Sequence, residues 1–271
     1  MKVIGILQPG YLPWLGFFAQ MLCSDIFVVY DDVQYDKHGW RNRNRVKGPQ
    51  GPIWLTVPVR TSGLNLPKIN EIMIDPAQPR WAKKHCATIR QSYGKAPFFG
   101  DYYPALEEVL LFPWKRLLDL DLELIRLLAR WLEVERELLL SSTLGCRAEN
   151  PTDRLVQICR TLGADLFYEG AAGRNYLDLE PFNAAGIRVV FQNYQDRPYP
   201  QLHGEFISHL SAIDLLMNCG PQSKEYLPGL EPELFARESG RAGVQLLQPN
   251  GEKLTAGTSS PGNMEISQIK S

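Results

Sequence analysis

The chain has 271 residues, 44% hydrophobic and 22% charged, with a formal net charge of −1. That length suits one large domain with a real core, and the composition excludes a disordered chain. The balanced charge excludes a global field drawing the protein to nucleic acid or an anionic membrane. No apolar run approaches the ~18 residues of a membrane span, and the apolar start over residues 1–7 is too short for a secretory signal. The expectation is a soluble, cytoplasmic protein. Cys23, Cys86, Cys146, Cys159 and Cys219 are scattered, with no CxxC spacing, so they read as free thiols and no metal site is expected.

In chain order, residues 3–7 form a short apolar run that reads as a buried strand ending at the Gln8-Pro9-Gly10 turn. Residues 15–22 predict a buried helix and residues 26–30 a second strand, so the chain opens as a parallel βαβ unit. Residues 31–47 have no clean periodicity. Residues 53–59 and 69–74 predict a third and a fourth strand, residues 81–93 a helix, and residues 103–136 a helical stretch broken at Pro113. Leu117, Leu118, Leu120, Leu124, Leu127, Leu128 and Trp131 give that stretch a broad apolar face. A strand follows over 137–142.

The second half alternates again. A helix is expected over 151–162, with Thr152 as candidate N-cap and Gly163 as its stop. Strands are expected over 165–168 and 187–191, and helices over 177–185 and 206–218. This alternation predicts an α/β fold, mainly a parallel, Rossmann-like doubly wound sheet with a central helical insertion at about residues 80–136. One α/β domain is expected over residues 1–230, then an extension over 231–271 with a polar, mobile tail.

Function concentrates between Gln8 and Arg45. The loop Gln8-Pro9-Gly10-Tyr11-Leu12-Pro13-Trp14-Leu15-Gly16 leaves the carboxyl end of a strand, where open α/β sheets bind ligands. Its glycines permit close backbone approach, and the helix start after it offers amides to an anion. The next block carries Asp31, Asp32, Gln34, Tyr35, Lys37, His38, Trp40, Arg41, Asn42, Arg43 and Arg45. Its carboxylates suit base or anchoring roles, its cations suit phosphate oxygens, and its aromatics suit stacking. The competing reading is a solvated loop of paired charges. Further on, Tyr168, Arg174 and Tyr176 flank a glycine-rich loop, and Ser211 and Asp214 stand three apart on a predicted helix. The candidate catalytic groups are Asp31, Asp32, His38 and Asp214. The candidate binding groups are Gln8, Tyr11, Trp14, Gln34, Lys37, Trp40, Arg41, Asn42, Arg43, Tyr168, Arg174, Tyr176 and Ser211. No GxSxG, HExxH, GxxxxGK[ST] or complete GxGxxG occurs, which argues against the common hydrolases, zinc proteases, P-loop NTPases and dinucleotide oxidoreductases.

These blocks, with Ser24-Asp25, Phe27-Val28, Asp31-Asp32-Val33-Gln34-Tyr35, Trp40-Arg41-Asn42-Arg43-Asn44, Trp54-Leu55-Thr56-Val57-Pro58-Val59, Tyr168-Glu169-Gly170 and residues 210–216, resemble the WbqC-like protein family over about residues 2–227. His38 and Gly39 fall where variable residues are expected within the second block. The resemblance implies bacterial origin and a role in O-antigen (lipopolysaccharide), other polysaccharide or specialised-metabolite biosynthesis. It supplies a setting and no catalytic residue. The leading expectation is a transferase moving an acyl or aminoacyl group onto an amine of a nucleotide-linked sugar or a similar small acceptor. The Arg41–Arg45 cluster would hold phosphate, Trp40 would stack, and Asp31 or Asp32 would take the proton. No resident cofactor is expected beyond an activated acyl donor, a thioester or aminoacyl carrier, with an acyl-carrier protein as candidate partner. The rivals are a non-catalytic binding partner in the same pathway and a nucleotidyltransferase-like ATP-dependent enzyme. The last would lack its usual phosphate-gripping histidines, since none precedes His38.

Overall fold

The computed structural model of the protein describes residues 1–227. The extension expected over 231–271 lies outside the described residues. Five parallel strands make the central sheet: β1 (Val3–Leu7), β2 (Ile26–Val29), β7 (Glu137–Leu140), β8 (Leu166–Glu169) and β9 (Arg188–Phe191), in the order β7-β2-β1-β8-β9. Every pairing is parallel, with Ile4 opposite Ile26 and Val3 opposite Leu166. The winding direction reverses between β1 and β8. Both faces are covered, so β1 and β2 are apolar runs rather than alternating ones.

Successive side chains still go to opposite faces. Ile4, Ile6, Val28 and Phe167 pack with α5 (Pro151–Thr161) and α6 (Glu180–Ala184). Leu7, Phe27 and Val29 pack with α1 (Leu15–Leu22), α4 (Leu117–Trp131) and α7 (Ala212–Cys219). Phe18 is fully buried in that second layer, and its truncation to alanine should cost about 3–5 kcal/mol. Helices α2 (Trp81–Tyr93) and α3 (Phe99–Leu111) join α4 and α7 on the same side. No helix among the described residues is long and apolar enough to cross a membrane.

Several local expectations are corrected. The strands expected over 53–59 and 69–74 do not join the sheet. Instead β3 (Arg43–Gly48) and β4 (Gly51–Thr56) form an antiparallel hairpin, and β5 (Val59–Arg60) pairs with β6 (Met73–Ile74). Pro58, which lacks an N–H, separates β4 from β5, and residues 69–71 turn as a 3-10 helix. β3 begins inside the segment without clean periodicity, because its buried positions include the polar Asn44 and Lys47 beside Val46.

Helix α7 starts at Ala212 rather than residue 206. The Ser211 amide donates to the Arg45 carbonyl at 2.9 Å, and Trp14 and Ser211 form a β-bridge, which holds the preceding chain extended. Helix α6 is shorter than residues 177–185: it starts at Glu180, whose amide donates to Asp178 Oδ1 at 3.0 Å, with Pro181 in its first turn. Helix α3 begins at Phe99, before residue 103, and α4 ends at Trp131. The N-cap of α5 is Asn150, whose Oδ1 accepts from the Thr152 amide at 2.8 Å.

Candidate functional site

Because the five strands run parallel, their carboxyl ends share one edge. That edge carries Gln8 after β1, Asp31 and Asp32 after β2, Ser141 and Ser142 after β7, Glu169 at the end of β8, and Gln192 after β9. Ligands of open α/β sheets bind along such an edge, at the point where strand order reverses.

The first loop is packed rather than open. Residues 9–13 are buried, and the Tyr11 amide reaches the carbonyls of Trp40 and Arg41 at 3.3 and 3.1 Å. A Cβ on Gly10 would stand 3.1 Å from the Trp40 carbonyl, and one on Gly16 would strike the Trp14 ring at 2.3 Å. These glycines therefore admit the protein's own groups, and the Trp14 ring lies against the first turn of α1. Tyr11 is fully buried with its hydroxyl 2.8 Å from His85 Nδ1, so it braces the loop and does not reach a ligand. Burial lowers the His85 pKa to about 4, which keeps that ring neutral.

The arginines of the second block are also engaged. Arg41 donates to Gln8 Oε1 at 2.6 Å. Arg43 donates to the carbonyls of Gly39 and His38 and lies 4.7 Å from the Trp54 ring centre. Arg45 donates to the His209 carbonyl at 3.2 Å and faces Trp40 and Trp54 at 5.6 and 5.7 Å. Trp40 and Trp54 touch with centroids 5.2 Å apart and stay 43% and 47% exposed. Asn42 donates to the Val57 carbonyl at 2.8 Å. Gln34, Lys37 and His38 are exposed. Trp14 stacks on His209 at 5.1 Å. The expected phosphate clamp is thus a set of cation–π and carbonyl contacts that rivets the hairpin to the loop.

The two aspartates divide. Asp31 is buried and accepts from Ser142 N (3.0 Å), Ser142 Oγ (2.7 Å) and Asn70 Nδ2 (3.1 Å), and the single Ser141 hydroxyl proton is within reach of both Asp31 (3.0 Å) and Asp32. These bonds tie β2 to β7 and engage both oxygens of Asp31. Asp32 accepts from Ser141 Oγ and pairs with Arg154, the two side chains being 16% and 13% exposed. Arg154 lies 5.1 Å over the Tyr30 ring and holds the Cys146 carbonyl at 3.2 Å. Beside this pair opens a cleft of about 570 Å³, lined by Asp32, Lys68, Glu71, Ser142, Arg147 and Arg154 among others.

Glu169 was absent from the candidates. It is the last residue of β8, and Tyr176 donates to its Oε1 at 3.0 Å. A Cβ on Gly173 would lie 2.4 Å from Glu169 Cγ, so that glycine makes room for the carboxylate. Burial raises the Glu169 pKa to about 7, against the opposing bonds from Tyr176 and the Gly170 amide. Burial also raises the Tyr30 pKa, and Tyr30 feels both the Arg154–Asp32 pair and Glu169. The available signal was an acid at a strand's carboxyl end before a glycine-rich turn. Arg174 donates to the Phe191 carbonyl at 3.2 Å and covers that ring. Tyr168 is buried, its carbonyl accepting from Gln20 at 2.9 Å.

Asp214 and Ser211 both serve to anchor α7. Asp214 is fully buried and accepts from Tyr93 (2.8 Å), Tyr199 (2.9 Å) and Gln201 (2.8 Å), joining α7 to α2 and to the segment before it. Ser211 is the N-cap of α7. All five cysteines are buried and unbonded to one another. Burial raises the thiols of Cys86 and Cys219 to about 11 and of Cys159 to about 12, which removes them as nucleophiles at neutral pH. No group of metal-ligating side chains suited to an ion occurs among the described residues.

Residues 8–226 match the model of the WbqC-like protein family. An uncharacterized protein of Mycobacterium tuberculosis, Rv1507c, is 35% identical over 229 residues, covering 84% of this chain and 98% of that relative. No solved structure matches the chain.

Proposed function

The chain belongs to the WbqC-like protein family, and we propose that it is a group-transfer enzyme acting at the carboxyl edge of its sheet. The reaction is acyl or aminoacyl transfer to an amine of a small acceptor, such as a nucleotide-linked sugar, in cytoplasmic bacterial polysaccharide or specialised-metabolite assembly. One observation carries the reading. Glu169, buried at the end of β8 and oriented by Tyr176, has a pKa near 7. A general base is most effective when its pKa lies near the working pH.

In this reaction the acceptor nitrogen attacks the acyl carbon of a thioester. The C–N bond forms, the C–S bond breaks, Glu169 takes the amine proton, and the thiolate leaves and is protonated. Glu169 replaces Asp31 and Asp32 in the base role, because both oxygens of Asp31 are engaged and Asp32 is paired. The mechanism uses no thiol nucleophile, so positioning supplies most of the rate. The test is to mix the protein with acyl thioesters and amino-sugar nucleotides and follow product mass. Transfer by the wild type that falls at least about 100-fold in Glu169→Gln supports the reading. Absence of product across the panel defeats it.

A second reading draws on the exposed Trp40–Trp54 pair flanked by Arg43 and Arg45. Half-exposed aromatics with arginines suit docking of an acidic partner, here an acyl-carrier protein. Trp54→Ala should then abolish co-elution with such a carrier while leaving the fold intact, and unchanged co-elution removes this reading.

A further inference from the structure

We infer that the cleft beyond β2 and β7 is a binding site for a phosphate-bearing ligand of the nucleoside diphosphate class, held by Lys68 and Arg147. This deepens the transfer reading by locating the phosphate of its acceptor, and its test does not require turnover. The first argument is elimination within the edge. Arg41, Arg43 and Arg45 each direct at least one guanidinium nitrogen to Gln8 or to a backbone carbonyl. Phosphate that took those nitrogens would displace bonds that hold the hairpin.

The second argument is the cleft itself. Its lining carries three cations, Lys68, Arg147 and Arg154, against two carboxylates, Asp32 and Glu71. Arg154 is paired with Asp32, whereas neither Lys68 nor Arg147 has an ion-pair partner among the described residues. Its volume of about 570 Å³ falls within the range of ~300–1,000 Å³ usual for small-molecule sites. The lining is presented by fixed backbone. Gln34 and Lys68 form a β-bridge, the Asn70 amide donates to the Asp31 carbonyl at 2.9 Å, and Arg154 grips the Cys146 carbonyl next to Arg147.

Chemistry assigns the parts. The two unpaired cations match phosphate oxygens.

The test is calorimetric titration of the full chain with UDP, ADP, uridine and inorganic pyrophosphate, for wild type, the double variant Lys68→Ala/Arg147→Ala, and Glu169→Gln. Both cations are exposed, so the double variant should melt with the wild type. The expected result is binding of a nucleoside diphosphate, weakened at least about ten-fold in the double variant and by raised salt, with no binding of uridine. Pyrophosphate binding as tightly as UDP also supports the anion site and names the free phosphate group as its source. Glu169→Gln should bind like wild type, so failure of the transfer chemistry is read separately. Binding of none of the anions, or affinity unchanged in the double variant, overturns the inference.

Discussion

Arg41 donates from a terminal guanidinium nitrogen to Gln8 Oε1 at 2.6 Å. This bond fastens the segment after β2 onto the end of β1, and it explains why an arginine-rich stretch beside a ligand edge is not free to bind phosphate. Beneath it lies Asp121 of α4, fully buried, both of whose carboxylate oxygens lack a hydrogen-bond partner among the described residues, as do Arg41 Nε and Tyr35 Oη. Burial raises the Asp121 pKa well above the usual carboxylate range, and the Arg41 charge opposes that rise.

Arg41→Ala should therefore destabilise the protein by about 2–4 kcal/mol, because it removes the Gln8 bond and leaves Asp121 without an opposing charge. Adding Asp121→Asn to that variant should recover at least about 1 kcal/mol, since the neutral amide avoids burying an uncompensated carboxylate. Urea melts of the single and double variants check this. A double variant no more stable than Arg41→Ala contradicts the coupling.

Glu169 predicts a specific pH dependence. Its folded pKa of about 7 exceeds the ordinary value of 4.5, so the folded state holds the proton more tightly. That contribution to stability is full below pH 4.5 and disappears as pH rises through 7. Glu169→Gln should accordingly gain on wild type in thermal melts between pH 5 and pH 8, by at most about 3 kcal/mol. A pH-independent difference excludes the raised pKa. Activity should run the opposite way, rising through pH 7 as the base form appears.

The two neighbouring aspartates should behave differently. Asp31→Ala leaves the Ser142 amide, the Ser142 hydroxyl and the Asn70 amide without their acceptor and should cost about 3–5 kcal/mol by denaturant titration. Asp32→Ala frees Arg154 beside an open cleft, where water can solvate it, and should cost less, about 1–3 kcal/mol. Equal losses would show that Asp32 also serves mainly as a structural anchor.

Native protein at pH 7 should resist alkylation by iodoacetamide at Cys23, Cys86, Cys146, Cys159 and Cys219, all of them buried. The same thiols should react after denaturation. Mass spectrometry of the two samples reads the difference, and rapid native labelling of Cys86 or Cys159 would contradict their raised pKa values.

Much of the scaffold was legible in the sequence. The apolar runs of β1, β2, β8 and β9 and the apolar face of α4 are local patterns, and doubly covered strands must be apolar. The hairpin of β3 and β4 was not legible as such, because Arg43, Arg45 and Trp54 face outward and mask its one buried face. The start of α7 is not set locally: residues 206–211 are apolar enough for a helix, but the backbone at Ser211 is held extended by Arg45 and Trp14.

For the candidate site, the sequence by itself points to the ends of β1 and β2, since strand, turn and helix order follow from local pattern, whereas Glu169, Lys68 and Arg147 lie outside residues 8–45. Only the tertiary structure decided the roles. Whether Arg41 meets a ligand or Gln8, whether Asp31 is a base or a bonded anchor, and whether Glu169 titrates near 7 depend on partners over thirty residues distant or on burial by other elements. Residue type sets what a side chain can do, and desolvation together with the neighbours brought to it by folding sets what it does.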